Sequence, residues 1–227
     1  LYPISDQATR LDFNKLESFL KNNKISHSYL PTAVVHQLVN NNFTIKNISI
    51  QTAGEALNLK NRPKFSLYNN YGPTENTIAA TCFNLEDDFD SSIPIGKPIS
   101  NIITYILDTN LAPLPIGISG KLYVSGAGVA RGYLNKPALT AERFIANPFI
   151  EGERMYDTGD LAKWLPDGNI EFLGRQDSQV KIRGHRIELE EIENTIVQFS
   201  DDIQQVVLEV KETGKEKELV TYYVSKS

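Results

Sequence analysis

The densest chemistry in this chain is Tyr71-Gly72-Pro73-Thr74-Glu75, where a flat ring, a turn, a hydroxyl and a carboxylate fall within five residues. The run just before it, residues 64–69 (KFSLYN), reads as a short buried strand that the Gly-Pro pair stops. Ligands of open α/β sheets lie beyond the carboxyl ends of strands, so these side chains are expected to face a binding crevice. The three groups suit a nucleotide held together with a divalent cation: a ring to stack on a base, a hydroxyl for a phosphate, a carboxylate for magnesium. The same five residues also read as an ordinary surface turn, and the choice rests on the remainder of the chain.

The elements that must hold such a site follow from periodicity. Phe13, Leu16, Phe19 and Leu20 recur at helical spacing, with Asp12 in place to cap the helix. A strand over residues 25–30 leads to Pro31 and a second helix carrying Val34, Val35, Leu38 and Val39. Residues 48–52 form a further strand, ending at Ala53-Gly54-Glu55, and residues 65–69 another. Strands alternating with helices imply a parallel sheet with helical crossovers. From residue 93 to 128 short strands (102–107, 121–125) are punctuated by Pro and Gly, the pattern of a small antiparallel sheet or barrel, and Asp167-Gly168 marks a hairpin. Beyond Asp177 come a strand at 179–182 and a helix carrying Leu189, Ile192, Ile196 and Phe199. Two strands, 205–210 and 219–224, then follow, linked by a charged turn at 211–218.

Composition narrows the class. With 227 residues, 41% hydrophobic and 22% charged, the chain can bury a core of one or two domains. No apolar run reaches bilayer length, and the start LYPISDQATR has neither the basic nor the apolar segment of a signal peptide. One cysteine, Cys82, rules out an internal disulfide framework and fits a reducing compartment, so a cytoplasmic protein is expected. Cys82 lies in an apolar run and reads as packing. A net charge of −5 and the lack of a basic stripe argue against nucleic acid. His27, His36 and His185 lack metal-ligand spacing, so no zinc site is expected.

Five further blocks decide how the first is read: GAGVARGYL at 126–134, LTAERF at 139–144, YDTGDL at 156–161, GRQD at 174–177 and QVKIRGHRIEL at 179–189. In this order, behind YGPTE, they resemble the adenylation domains of nonribosomal peptide synthetases, members of the adenylate-forming superfamily. The resemblance covers essentially the whole chain. It implies an α/β fold: residues 1–177 as the latter part of the large adenylation subdomain, a parallel sheet with helices plus a small antiparallel barrel, and residues 178–227 as the start of the small α+β C-terminal subdomain. It also implies a function, ATP-dependent activation of an amino acid as aminoacyl-AMP and its transfer to the phosphopantetheine thiol of a carrier protein in secondary-metabolite synthesis.

Roles carry over residue by residue. Glu75 would hold magnesium and Thr74 would bond phosphate; an attack between two anions needs charge screening more than a base. Tyr71 would stack on adenine, Asn69 bond its edge, Gly54 line the nucleotide site, Asp160 accept both ribose hydroxyls and Arg175 approach the ribose and phosphates. Asp177 would be the hinge about which the small subdomain turns. The loop from 179 to 184, with Lys181, would then face the active site, Gly184 letting the phosphopantetheine arm pass close to backbone. Ser28, Gln51, Ala53, Asn70, Ile78 and Ala79 would line the substrate pocket. None is charged, which favours a neutral amino acid, and Gln51 and Asn70 would need partners if buried, which favours one with a polar group.

The glycine-rich run 126–134 lacks a Gly-Lys-Ser/Thr signature, so it is read as strand turns rather than a phosphate loop, with Arg131 and Glu142 in ion pairs. The superfamily's phosphate loop, the aspartate that pairs with a substrate amine, and the catalytic lysine have no counterpart in the sequence. They are expected upstream of Leu1 and past Ser227, leaving this chain alone inactive. Expected partners are the amino acid, a peptidyl carrier protein domain and a neighbouring condensation domain, with neither nucleic acid nor membrane. An acyl- or aryl-CoA ligase is the alternative, disfavoured by Pro73 and the RGHRIELEEIE match; a non-catalytic docking module is another.

Overall fold

Helix α1 (Phe13–Asn22) begins where Asp12 caps it. The carboxylate accepts from the backbone N–H of Asn14 at 2.9 Å and of Lys15 at 3.2 Å, donors that the first turn leaves unpaired. Leu16 and Leu20, one helical repeat apart, are buried. Strand β1 (His27–Tyr29) follows, then helix α2 (Thr32–Asn40), which buries Val35, Leu38 and Val39. Strands β2 (Thr44–Thr52) and β3 (Lys64–Tyr71) run parallel to β1. The helix leucines close on Ile50, Leu67 and Phe83 to make one core.

The sheet's other edge is antiparallel. After β3 the chain turns back within a few residues into β4 (Thr81–Asn84), and β5 (Lys97–Pro98) pairs next, in the order β1-β2-β3-β4-β5. So short a connection has no room for the crossover that parallel pairing demands. A second, antiparallel sheet contains β6 (Ile102–Leu107), β7 (Gly120–Gly126), β9 (Arg154–Trp164) and β10 (Ile170–Arg175), ordered β10-β9-β7-β6. Helix α3 (Pro137–Arg143) leads into β8 (Phe144–Ala146), which pairs with β9. The sheets are stitched where Ile95 N–H donates to Ile170 C=O at 2.8 Å and Ile170 N–H to Gly96 C=O at 2.9 Å. Gly96 tolerates nothing larger, since a Cβ there would lie 2.0 Å from the Cys82 carbonyl oxygen.

The computed structural model describes residues 2–4, 6, 9, 12–86, 92–177, 179–182, 185–200, 202–213 and 216–226, without the side chains of 181, 212, 213, 216 and 217. It divides into two units, Leu1–Gly174 and Arg175–Ser227, where the family resemblance implied a boundary at 177/178. In the second unit β11 (Val180–Ile182) pairs with β12 (His185–Ile187), and helix α4 (Leu189–Phe199) precedes the hairpin β13 (Ile203–Thr213) and β14 (Glu216–Ser225). Leu189, Val206 and Leu208 form its core with Ile192 and Ile196. The expected charged turn at 211–218 is instead mostly strand: the register sets Lys211 opposite Glu218, and opposite charges across a ladder favour pairing. Among the described residues no helix is long and apolar enough to cross a membrane.

Candidate active site

Alternation along β3 buries Asn69 and Tyr71 on one face. The Asn69 amide nitrogen donates to the Pro94 carbonyl at 2.8 Å, which turns its oxygen into the acceptor on offer to a ligand. Tyr71 donates its hydroxyl to Oδ2 of Asp160, and its ring leans on Phe172 at 6.2 Å between centroids. Asp160, on β9, is only 5% exposed, and its backbone N–H donates to the Thr158 hydroxyl at 3.1 Å. That hydroxyl donates to the Leu122 carbonyl at 2.7 Å, so β7 fixes the turn that presents the carboxylate.

Past Tyr71 the chain folds tightly. Gly72 is required because a Cβ there would fall 2.4 Å from the Ile78 carbonyl oxygen and 2.7 Å from the Ala79 Cα. A 3-10 turn over Thr74–Asn76 carries Glu75, 7% exposed, with Thr74 exposed at its head. Thr77 then adopts φ 67° and ψ −76°, and Ile78 N–H reaches the Asn76 carbonyl at 2.9 Å. This is a γ-turn of the positive-φ kind, a strained conformation for a β-branched residue and typical of over-determined functional sites. Ala80 N–H closes the loop on the Tyr71 carbonyl at 2.7 Å.

The loop is held from outside by residues 128–133. Ala130 N–H donates to the Glu75 carbonyl at 2.8 Å, and the Thr77 hydroxyl to the Gly128 carbonyl at 2.9 Å. Gly128 is needed for this approach, since a Cβ would stand 2.7 Å from Asn76 Oδ1. The Tyr133 hydroxyl donates to Glu75 Oε1 at 2.6 Å, and the Tyr156 hydroxyl lies 3.3 Å from that of Tyr133. Burial, then the Tyr133 hydrogen bond and the nearby Glu75 charge, push the Tyr156 phenol far above its ordinary range, so it stays neutral at physiological pH.

Of the residues expected at the site, the first unit therefore brings together Asn69, Tyr71 and Asp160, and sets Glu75 in the loop that follows Tyr71. Gly54 follows β2 with φ 99° and open space where a side chain would be. Among the pocket residues, Gln51 Oε1 accepts from Asn70 Nδ2 at 3.4 Å on one face of the sheet. Ser28 is in register with Ile50, the neighbour of Gln51, and so belongs to the opposite face. Ala53, directly after β2, and Ala79, just before β4, are half-buried, and Ile78 is 75% exposed. In the second unit the Arg175 guanidinium is forked onto Asp177, Nε to Oδ1 at 2.6 Å and a terminal nitrogen to Oδ2 at 2.7 Å. The backbone of Lys181 lies in β11; Gly184 falls outside the described residues.

Sequence reasoning missed Tyr133 and Tyr156, although both stand in the blocks quoted above. Gly128 does lie in a turn, as expected, closed by Val129 N–H on the Gly126 carbonyl at 3.1 Å, and it also makes a close approach to Asn76. Glu142 pairs with Arg143 at 3.4 Å, while Arg131 is exposed and lends its carbonyl to Arg154 at 3.0 Å.

Residues 3–134 match the profile of a family described as AMP-binding enzyme. The chain belongs to that family. Over 233 residues it is 48% identical to tyrocidine synthase 3 of Brevibacillus parabrevis, covering 99% of this chain but 4% of that protein. The fold superposes with a TM-score of 0.83 and 30% identity on a nonribosomal peptide synthetase protein that contains adenylation and PCP domains and is bound to a vinylsulfonamide inhibitor, covering 96% of this chain and 40% of the other. It superposes with a TM-score of 0.68 and 33% identity on a four-domain nonribosomal peptide synthetase bound to AMP and glycine, covering 99% of this chain and 17% of that one. The α/β architecture expected from the sequence is thus that of solved adenylation domains. The chain spans a small part of the length of these relatives.

Proposed function

We propose that this chain serves the ATP-dependent activation of an amino acid as aminoacyl-AMP and its loading onto a phosphopantetheine thiol of a peptidyl carrier protein, in a cytoplasmic synthetase with a condensation domain as neighbour. The observation that carries the reading is the set of buried polar groups at and just beyond the end of β3: Asn69, Tyr71 with Asp160, and Glu75 in the strained loop. Asn69 Oδ1 would accept from the exocyclic amine of adenine, the Asp160 carboxylate would accept the ribose hydroxyls, and Arg175 would approach the ribose and phosphates. In the reaction a carboxylate oxygen bonds to the α-phosphorus, the bond from that phosphorus to the bridging oxygen breaks, and pyrophosphate leaves with the electron pair. Magnesium, when bound, screens the two anions and the charge that builds on the leaving group.

The residues fit that ion. Glu75 presents a buried carboxylate, and among the described residues no three His, Cys, Asp or Glu side chains gather at one point. An ion held by Glu75 would therefore take its other ligands from phosphate and water, the usual manner of magnesium. Gln51 is exposed and accepts from Asn70, so the pair does not call for a polar group on the substrate; the lack of charge among the expected pocket residues supports a neutral one. The test is pyrophosphate exchange into ATP by the synthetase that contains this chain, run across the proteinogenic amino acids. Exchange should depend on a neutral amino acid. A maximum with a charged one would overturn the substrate class, and acyl transfer to free coenzyme A in place of a carrier would favour the CoA ligase.

A further inference from the structure

We infer that Tyr133 is the positioning residue for the Glu75 carboxylate, fixing it in the orientation that receives the metal. The inference rests on the reading of Glu75 as the magnesium ligand and extends it to residues outside the YGPTE block. Glu75 sits on a single 3-10 turn that ends in the strained Thr77, and nothing in such a turn selects one rotamer of a long side chain. The selection comes from the 128–133 segment, with the Tyr156 hydroxyl of β9 beside it. Two bonds, from the Ala130 N–H to the Glu75 carbonyl and from the Thr77 hydroxyl to the Gly128 carbonyl, lock the turn, and the Tyr133 hydroxyl then holds Oε1 at 2.6 Å.

Tyr133 is itself held on every side. Its N–H donates to the Thr140 hydroxyl at 2.9 Å, and Gly132 before it admits no side chain, because a Cβ would lie 2.4 Å from Thr140 Cγ2. Its ring meets the edge of Phe144 at 5.3 Å, and Phe144 in turn packs on Tyr156 at 5.0 Å. The Tyr156 hydroxyl backs that of Tyr133 at 3.3 Å in a place shut off from water. A neutral donor on one carboxylate oxygen leaves lone pairs on both for a cation, while a lysine or arginine in its place would compete with the ion. Partners of this kind orient metal-binding carboxylates, and their loss weakens metal binding by roughly 10–100-fold.

The test is made in the complete adenylation enzyme with Mn2+ as probe, its binding to the enzyme with a non-hydrolysable ATP analogue followed by electron paramagnetic resonance. Tyr133→Phe should weaken Mn2+ binding by roughly 10–100-fold, raise the Mg2+ concentration for half-maximal exchange to match, and leave KM for the amino acid unchanged. Glu75→Gln should weaken binding at least as much. Wild-type Mn2+ affinity in Tyr133→Phe beside weakened Glu75→Gln overturns the positioning inference and leaves the metal ligand in place. Wild-type affinity in Glu75→Gln overturns the metal assignment itself. Should Tyr133→Phe not fold, Tyr156→Phe removes the hydroxyl that meets both Tyr133 and Glu75 and must shift Mn2+ affinity in the same direction; an unchanged affinity there refutes the network.

Discussion

Tyr71 and Asp160 lie 89 positions apart in the sequence and meet through one hydrogen bond. Two expected contacts of a nucleotide, the base platform and the ribose acceptor, are thereby a single unit. Asp160→Ala and Glu75→Gln in the complete enzyme should each lower adenylation by about 100-fold or more, the scale of one lost preorganised electrostatic contact. Tyr71→Phe is the finer probe, since it keeps the ring and removes only the donor that orients the carboxylate. It should raise KM for ATP by about tenfold, as expected for a hydrogen bond to a charged group. An unchanged KM for ATP beside an inactive Asp160→Ala would show that the carboxylate needs no such partner.

At the scale of elements, the antiparallel pair β9 and β10 carries Asp160 and is braced by Glu171. Its carboxylate accepts from the Ser92 hydroxyl at 2.6 Å and meets the Lys163 ammonium at 2.9 Å across the pair. The Ser92 bond first, then Lys163, hold the Glu171 carboxyl below the ordinary glutamate value of 4.5. A carboxyl with a depressed folded-state pKa stabilises fully above its ordinary value, and that stability is lost as pH falls through the folded value. The melting temperature of the wild-type enzyme should therefore drop below about pH 4.5 partly through Glu171. In Glu171→Gln the acid limb should be shallower, with a lower melting temperature at pH 7. Superimposable acid limbs in scanning calorimetry would show that this brace contributes nothing.

For the molecule as a whole, the division between Gly174 and Arg175 falls within the GRQD block, and the Arg175–Asp177 fork stands directly after it. Asp177 also accepts from the Gln179 N–H at 3.2 Å, so its side chain organises the first residues of the second unit. If the second unit turns about Asp177 during the reaction cycle, this residue must change its backbone angles between adenylation and thioester formation. Asp177→Pro fixes φ and should impair the two half-reactions unequally, as measured by pyrophosphate exchange and by acylation of the carrier protein. Equal losses in both would make Asp177 a turn residue and nothing more.

Much of this was legible in the order of residues, because it depends on near neighbours. The Asp12 cap, the leucine spacing of α1 and α2, the Gly-Pro stop after β3 and the Asp167-Gly168 hairpin are local physics. So is the family, whose motif blocks are contiguous. Side-chain partnerships across segments were not legible. Tyr133 with Glu75, and Tyr71 with Asp160, depend on how the strands of two sheets register and on which loop lands against which turn. Ser28 shows the limit most sharply: strand side chains alternate, so its face follows from pairing with Ile50 rather than from its own neighbours, and a shift of one residue would have turned it toward Gln51. Residue types thus determined which chemistry the chain can offer, whereas strand register, visible only in three dimensions, decided which of those groups act on one another.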